Sequence, residues 1–181
     1  MRLMFLVFLG MAVFAGCTSA RAEMVLSSES IQEQGMLSMD QVFNGFGCQG
    51  KNLSPQLSWE GAPEGTKSLA VTIYDPDAPT GSGWWHWVAF NMPADTQGLA
   101  EGASGASMPE GTVESRTDFG SIGFGGACPP VGDKPHRYIV SVFALDTDRL
   151  DLDAQTPAAQ VGYYLNAHTI EKAVLTGLYS R

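Results

Sequence analysis

Positive charge is scarce. The 181-residue chain carries 10 Lys and Arg against 19 Asp and Glu, a formal net charge of −9. Arg2 and Arg21 fall in the first 22 residues, which hold no acid; without that segment, eight cations face nineteen acids and the net charge is −11. A chain this acidic repels nucleic acid and anionic membrane surfaces, so an anionic ligand has to be held by a local cluster of donors against the overall field. Cysteine is nearly absent as well: Cys17, Cys48 and Cys128 are the only three, and no C-x-x-C pair suggests zinc. Only one long apolar run exists, Leu3 to Ala15, and it is too short to span a bilayer. No repeat, low-complexity tract or linker divides the rest.

The apolar run follows Arg2 and has the length of a secretory leader. Ala20-Arg21-Ala22 before Glu23 forms a small-residue cleavage site, which assigns residues 1–22 to a signal peptide and residues 23–181 to the mature domain. A second reading takes Phe14-Ala15-Gly16-Cys17 as a lipoprotein box with Cys17 lipidated. Both send the chain out of the cytoplasm, to the periplasm or, as a lipoprotein, to an outer-membrane anchor, with no transmembrane span in the mature protein. The 159 residues from Glu23 onward suffice for one domain with a substantial core. In an oxidising compartment, Cys48 and Cys128 read as one disulfide.

The 21 glycines and 10 prolines are spread along the chain and cut it into short apolar runs, as in an all-β sandwich or barrel. Lys67–Asp75 alternates, with Leu69, Val71 and Ile73 on one face. Trp84–Met92 reads as a second strand with His86, Val88 and Phe90 sharing a face, and His136–Asp146 as a third with His136, Tyr138, Val140 and Val142 together. Shorter strands are expected near Met24–Ser28, Gln56–Glu60 and Met108–Val113. Thr156-Pro157 provides an N-cap residue followed by proline at the first helical position. Val161, Tyr164, Leu165 and His168 then form one helical stripe, which makes His168 a core histidine. The segment Glu171–Ser180 alternates as a strand.

The chemistry concentrates at strand ends. Asp75-Pro76-Asp77-Ala78-Pro79 stops the first strand, and Trp84-Trp85-His86-Trp87 begins the second. Gly125-Gly126-Ala127-Cys128-Pro129-Pro130 leads through Gly132 to His136-Arg137-Tyr138, where His136 and Tyr138 point the same way roughly 6–7 Å apart. Phosphate needs donors converging from several directions, and His86, His136, the Tyr138 hydroxyl and loop amides supply them. Asp75 cannot meet an anion as a carboxylate; its expected role is to accept a hydrogen bond from an imidazole, fixing the tautomer and favouring the charged ring. The tryptophans around His86 offer an apolar rim.

These segments resemble the two signature regions of the phosphatidylethanolamine-binding proteins. Thr80–Trp87, Arg116–Gly120 and Asn52-Leu53-Ser54-Pro55 resemble its bacterial branch, often called Raf-kinase-inhibitor-like, and the likeness runs from about Ser38 to the C-terminus. The resemblance implies a mostly β fold: a sandwich of two antiparallel sheets with one or two short C-terminal helices and an anion pocket at one end. In that pocket Asp75 is the acid, His86 the first histidine, Ala127, Cys128 and Pro130 the loop backbone, and His136 and Tyr138 the second histidine and the tyrosine. A small residue, often glycine, is common in the family where this chain has Cys128. Bacterial relatives imply a homodimer, although no residue here defines an interface.

The expected function is therefore binding of a small phosphate-like anion or phospho head group, without catalysis, cofactor or metal. Three alternatives stand beside it: an interaction protein that inhibits a protease or kinase, an enzyme with Cys128 as nucleophile and His136 as base, and a metal site built from Asp75, His86 and His136. Three motif matches carry no function: Gly45-Phe46-Gly47-Cys48-Gln49-Gly50 lacks a framing strand and helix, Asp118-Phe119-Gly120 lacks the rest of a kinase, and Asn52-Leu53-Ser54 is a glycosylation triplet followed by Pro55.

Overall fold

The structure, a computed structural model, describes residues 23–181; the signal peptide and the lipidation alternative at Cys17 lie outside the described residues. The chain runs through β1 (Val25–Ser27), β2 (Asn44–Gly45), β3 (Cys48–Gln49), β4 (Leu57–Glu60), β5 (Ser68–Asp75), β6 (Trp84–Pro93), β7 (Gly98–Leu99), β8 (Val113–Glu114) and β9 (His136–Leu145), then α1 (Ala158–His168) and β10 (Thr169–Tyr179). A five-stranded antiparallel sheet, ordered β10-β9-β5-β6-β8, faces a three-stranded sheet, β1-β4-β7. Helix α1 covers the other face of the large sheet.

Two cores result. Leu69, Val71 and Ile73 of β5 and Val140 and Val142 of β9 meet Leu26, Leu57 and Trp59 of the small sheet. Ala70, Val88, Phe90 and Phe143, on the opposite face, pack under Val161 and Leu165 of α1. This explains why β5 is buried almost throughout even though its pattern alternates: both faces are covered. Each fully buried aliphatic side chain contributes about 1.5–3 kcal/mol, so the central strands hold the sandwich together.

Several local expectations are corrected. The helix begins one residue later than Thr156 implied, with Pro157 at the N-cap and no side-chain cap; the Thr156 hydroxyl instead joins Asp153 in a turn. The buried stripe is Ala158, Val161 and Leu165. His168 is not a core residue: its side chain is 39% exposed and its Nδ1 lies 2.9 Å from Asp146, because the stripe turns away before the last turn. Around Met108–Val113 only Val113–Glu114 pairs as a strand, since Pro109 accepts from the Thr112 amide across a turn in which Gly111 has φ +84°. The Gly45–Gly50 segment is a hairpin, with Phe46 and Gly47 both at positive φ as a type I′ turn requires.

The largest correction concerns β6. Its register against β5 shifts by one residue between Ile73↔Trp87 and Tyr74↔Trp85, a β-bulge at His86. Alternation resumes beyond it, so Val88 and Phe90 lie in the core under α1 while Trp87 lies between the sheets. His86 thus leaves the face of Val88 and Phe90 and turns toward Tyr138 on the inner side.

Candidate functional site

The loops at one end of the sandwich enclose a cleft of about 190 Å³. On its floor are Asp75, His86, His136 and Tyr138, and its walls include Phe46, Trp84, Phe119 and Pro130. Asp75 ends β5 and splits its two oxygens. Oδ1 accepts from the Asp77 and Ala78 amides at 2.8 and 3.1 Å, closing the turn that Pro76 and Pro79 frame. Oδ2 lies 2.8 Å from His136 Nδ1, and both side chains are almost fully buried. The carboxylate thereby fixes the ring of His136 with Nδ1 as the donor. Across the ring, Nε2 lies 3.3 Å from Asp133 Oδ2.

His86 is held differently. Its Nδ1 donates to the Gly125 carbonyl at 2.7 Å, and its own carbonyl accepts from the Gly125 amide at 2.8 Å. In the neutral ring this leaves Nε2 as a bare acceptor. Burial pushes the His86 pKa below its ordinary value, with the Gly125 carbonyl and nearby Asp75 opposing the shift. The Tyr138 ring packs edge-on against His86 with centroids 5.1 Å apart. Burial, and next the charge of Asp75, raise the Tyr138 pKa, so its hydroxyl keeps its proton. That hydroxyl is buried, with the Cys128 amide directed at its oxygen but no acceptor of ordinary geometry for its proton, and Trp84 Nε1 is likewise buried without an acceptor. Two donors on side chains lining one cleft are therefore left without partners.

The walls depend on residues distant in sequence. Asp118 accepts from the Trp85 amide at 2.7 Å beside the bulge, which brings the next residue, Phe119, to lie 5.4 Å from Trp84 and 5.8 Å from Phe46, centroid to centroid. The Cys48–Cys128 disulfide is formed, with Cα atoms 6.0 Å apart, and ties the β2–β3 hairpin to the Pro129-Pro130 loop. Asn52 Oδ1 accepts from the Gly126 amide at 2.7 Å, giving this triplet a structural use. A Cβ at Gly126 would stand 2.4 Å from the Gln41 carbonyl oxygen, so only glycine lets the loop pass there. Asp77 is gripped by the Arg137 guanidinium at 2.8 and 2.9 Å, which holds its pKa down to about 2 and fastens the turn after β5 to β9.

A family model described as phosphatidylethanolamine-binding protein matches residues 27–180. The chain belongs to the phosphatidylethanolamine-binding protein family. It is 50% identical over 169 residues to the UPF0098 protein YbcL of Escherichia coli, covering 92% of each chain, and 49% identical to YbhB of the same organism, covering 87% of this chain and all of YbhB. The crystal structure of E. coli YbcL, described as a new member of the mammalian PEBP family, superposes with a TM-score of 0.87 at 52% identity, covering 88% of this chain and 99% of that one. A homologue from Chlamydia trachomatis reaches 0.74 at 31% identity, covering 88% and 98%.

In this family member, Asp75, His86, Cys128, Pro130, His136 and Tyr138 line one cleft. Ala127 does not. It is 1% exposed, and its amide and carbonyl are both spent on the segment around Val42, to Gln41 and Phe43, so it offers no free loop amide. Pro129 and Pro130 have no amide hydrogen to give. Among the described residues no cluster of His, Cys, Asp and Glu is placed to hold a metal ion, since Asp75 is committed to His136 and two amides while His86 turns Nδ1 to the backbone. The disulfide removes the free thiol that the nucleophile alternative for Cys128 needs. Phe46, Phe119, Asp133 and Arg181 were not expected at the site, Phe46 and Phe119 having appeared only inside motif matches. Each is a lone residue on a turn or chain end, and only the tertiary fold brings it to the site.

Proposed function

We propose that this protein is an exported binding protein whose cleft takes a small phosphate-like anion bearing an apolar substituent, and that it binds without catalysing a reaction. The observation that carries the reading is the pair of unpartnered donors, the buried Tyr138 hydroxyl and Trp84 Nε1, beside two histidines. Leaving a buried polar group unpaired costs about 1–3 kcal/mol, a penalty that an acceptor-rich ligand removes. The Phe46, Trp84 and Phe119 rings give the same ligand an apolar surface. The N-terminal leader pattern and the disulfide support export.

Titration calorimetry with inorganic phosphate, phosphoethanolamine and phenyl phosphate tests the reading. Phenyl phosphate is expected to bind tightest. Tyr138→Phe is expected to weaken binding by about 1 kcal/mol or more while leaving stability unchanged or slightly raised, because it deletes an unsatisfied hydroxyl and keeps the ring. Absence of binding for all three compounds, or a Tyr138→Phe variant with undiminished affinity, would remove the basis for the anion reading.

A further inference from the structure

Asp133 meets the cleft through one of its lining residues, His136. Its Oδ2 lies 3.3 Å from Nε2 of His136, on the side of the ring opposite Asp75. The imidazole is 3% exposed, but the Asp133 side chain is 42% exposed and free to swing into solvent. Its backbone is not free in the same way. Cys128 is bonded to Cys48, the Gly132 amide donates to the Arg181 carbonyl at 2.9 Å, and Arg181 Nε donates to the Pro129 carbonyl at 2.6 Å. The loop therefore presents one carboxylate to the ring and leaves only the side chain to move.

We infer that Asp133 is a specificity-determining residue of the cleft: an internal carboxylate that occupies the anion position at His136 and must be displaced by an incoming ligand. The inference rests on the anion reading of the cleft. Asp75 and Asp133 face the two nitrogens of one ring, so a carboxylate or a ligand anion is held at Nε2 only while both nitrogens carry a proton, and Arg137, a neighbouring cation, is turned outward onto Asp77. A third negative group cannot join them without strong repulsion, so binding exchanges Asp133 for the ligand. The exchange disfavours weak monoanions and selects ligands with enough charge, or enough apolar contact with the aromatic wall, to displace a tethered competitor. Asp75 and Asp133 thus act with opposite sign, the first orienting the ring for the ligand and the second competing with it.

The experiment is calorimetric titration of inorganic phosphate and phenyl phosphate into the wild-type protein, Asp133→Asn, Asp133→Ser and, as a control for net charge alone, Asp153→Asn, with thermal unfolding recorded for each. Both Asp133 variants are expected to bind about two- to fivefold tighter, the scale of an exposed ion pair removed from competition. Asp153→Asn, ahead of α1, is expected to match the wild type. Equal or weaker binding by both Asp133 variants, with the wild type binding, would overturn the inference and leave the anion reading intact. Binding by the variants alone would support it in its strongest form. If neither wild type nor variants bind, both readings fall together.

Discussion

At His86, burial and hydrogen bonding pull in opposite directions, and burial wins. The ring is 3% exposed, its Nδ1–H is spent on the Gly125 carbonyl, and its pKa lies below the ordinary value near 6.5. The unfolded chain therefore takes up a proton at a higher pH than the folded protein does. Stability from this residue is unaffected well above that value, and falls as pH drops from about 6.5 toward the folded-state pKa, because there the unfolded state binds more protons. His86→Asn keeps a donor for Gly125 and cannot titrate. The variant is expected to lose less stability than the wild type between pH 8 and pH 5, compared by thermal unfolding at both pH values so that shared carboxylate effects cancel. Equal losses would show that His86 is not held neutral. By the same linkage, any gain in anion affinity from charging this ring belongs below about pH 6.5.

The β6 bulge shows what a strand's own sequence conceals. Leu69, Val71 and Ile73 on β5 and His136, Tyr138, Val140 and Val142 on β9 share the faces their alternation implied, and β10 is the strand that its parity favoured. On β6 the same rule placed His86 with Val88 and Phe90, and failed there, because a bulge is a property of the register between two strands. A second shift, between Leu69↔Met92 and Val71↔Ala89, coincides with Asn91 at φ +61°, whose side chain hydrogen-bonds both ways with the Leu150 backbone. Asp75, His86, His136 and Tyr138 were legible because each sits on or at the end of a strand beside a distinctive turn; Phe46 and Phe119 were not, since nothing local says that two turns 73 residues apart will stack. Helix α1 carries the matching lesson and a test. Leu165 is fully buried under the large sheet, whereas His168 pairs with Asp146 at the surface. Leu165→Ala is expected to destabilise by about 2–5 kcal/mol, and His168→Ala by no more than about 1 kcal/mol, both read by chemical denaturation. A His168→Ala loss approaching that of Leu165→Ala would contradict the surface placement.

The whole molecule separates a scaffold from a mouth. The two sheets and α1 bury the core, while the cleft is assembled from the β2–β3 hairpin, the turn after β5, the Phe119 turn and the loop before β9, so its geometry depends on what joins those loops. Two ties do so at one corner. The disulfide links Cys48 to Cys128 across 80 residues of sequence, and the Arg181 guanidinium donates to the carbonyls of Pro129 and Phe46 at 2.6 and 3.4 Å. The ties differ in kind, because a covalent link acts mainly on the unfolded chain and a surface guanidinium acts only on the folded one. Replacing Cys48 and Cys128 together by serine is expected to lower stability by roughly 4 kcal/mol on the chain-entropy account. Affinity for phenyl phosphate should fall as well, since the Pro129-Pro130 wall loses its link to the hairpin. Arg181→Ala should lower affinity with little change in stability. Denaturant unfolding and calorimetric titration of the two variants separate these effects. A cysteine-free variant as stable as the wild type would mean that the disulfide does not constrain the unfolded chain, and unchanged affinity in both variants would mean that the scaffold alone shapes the cleft.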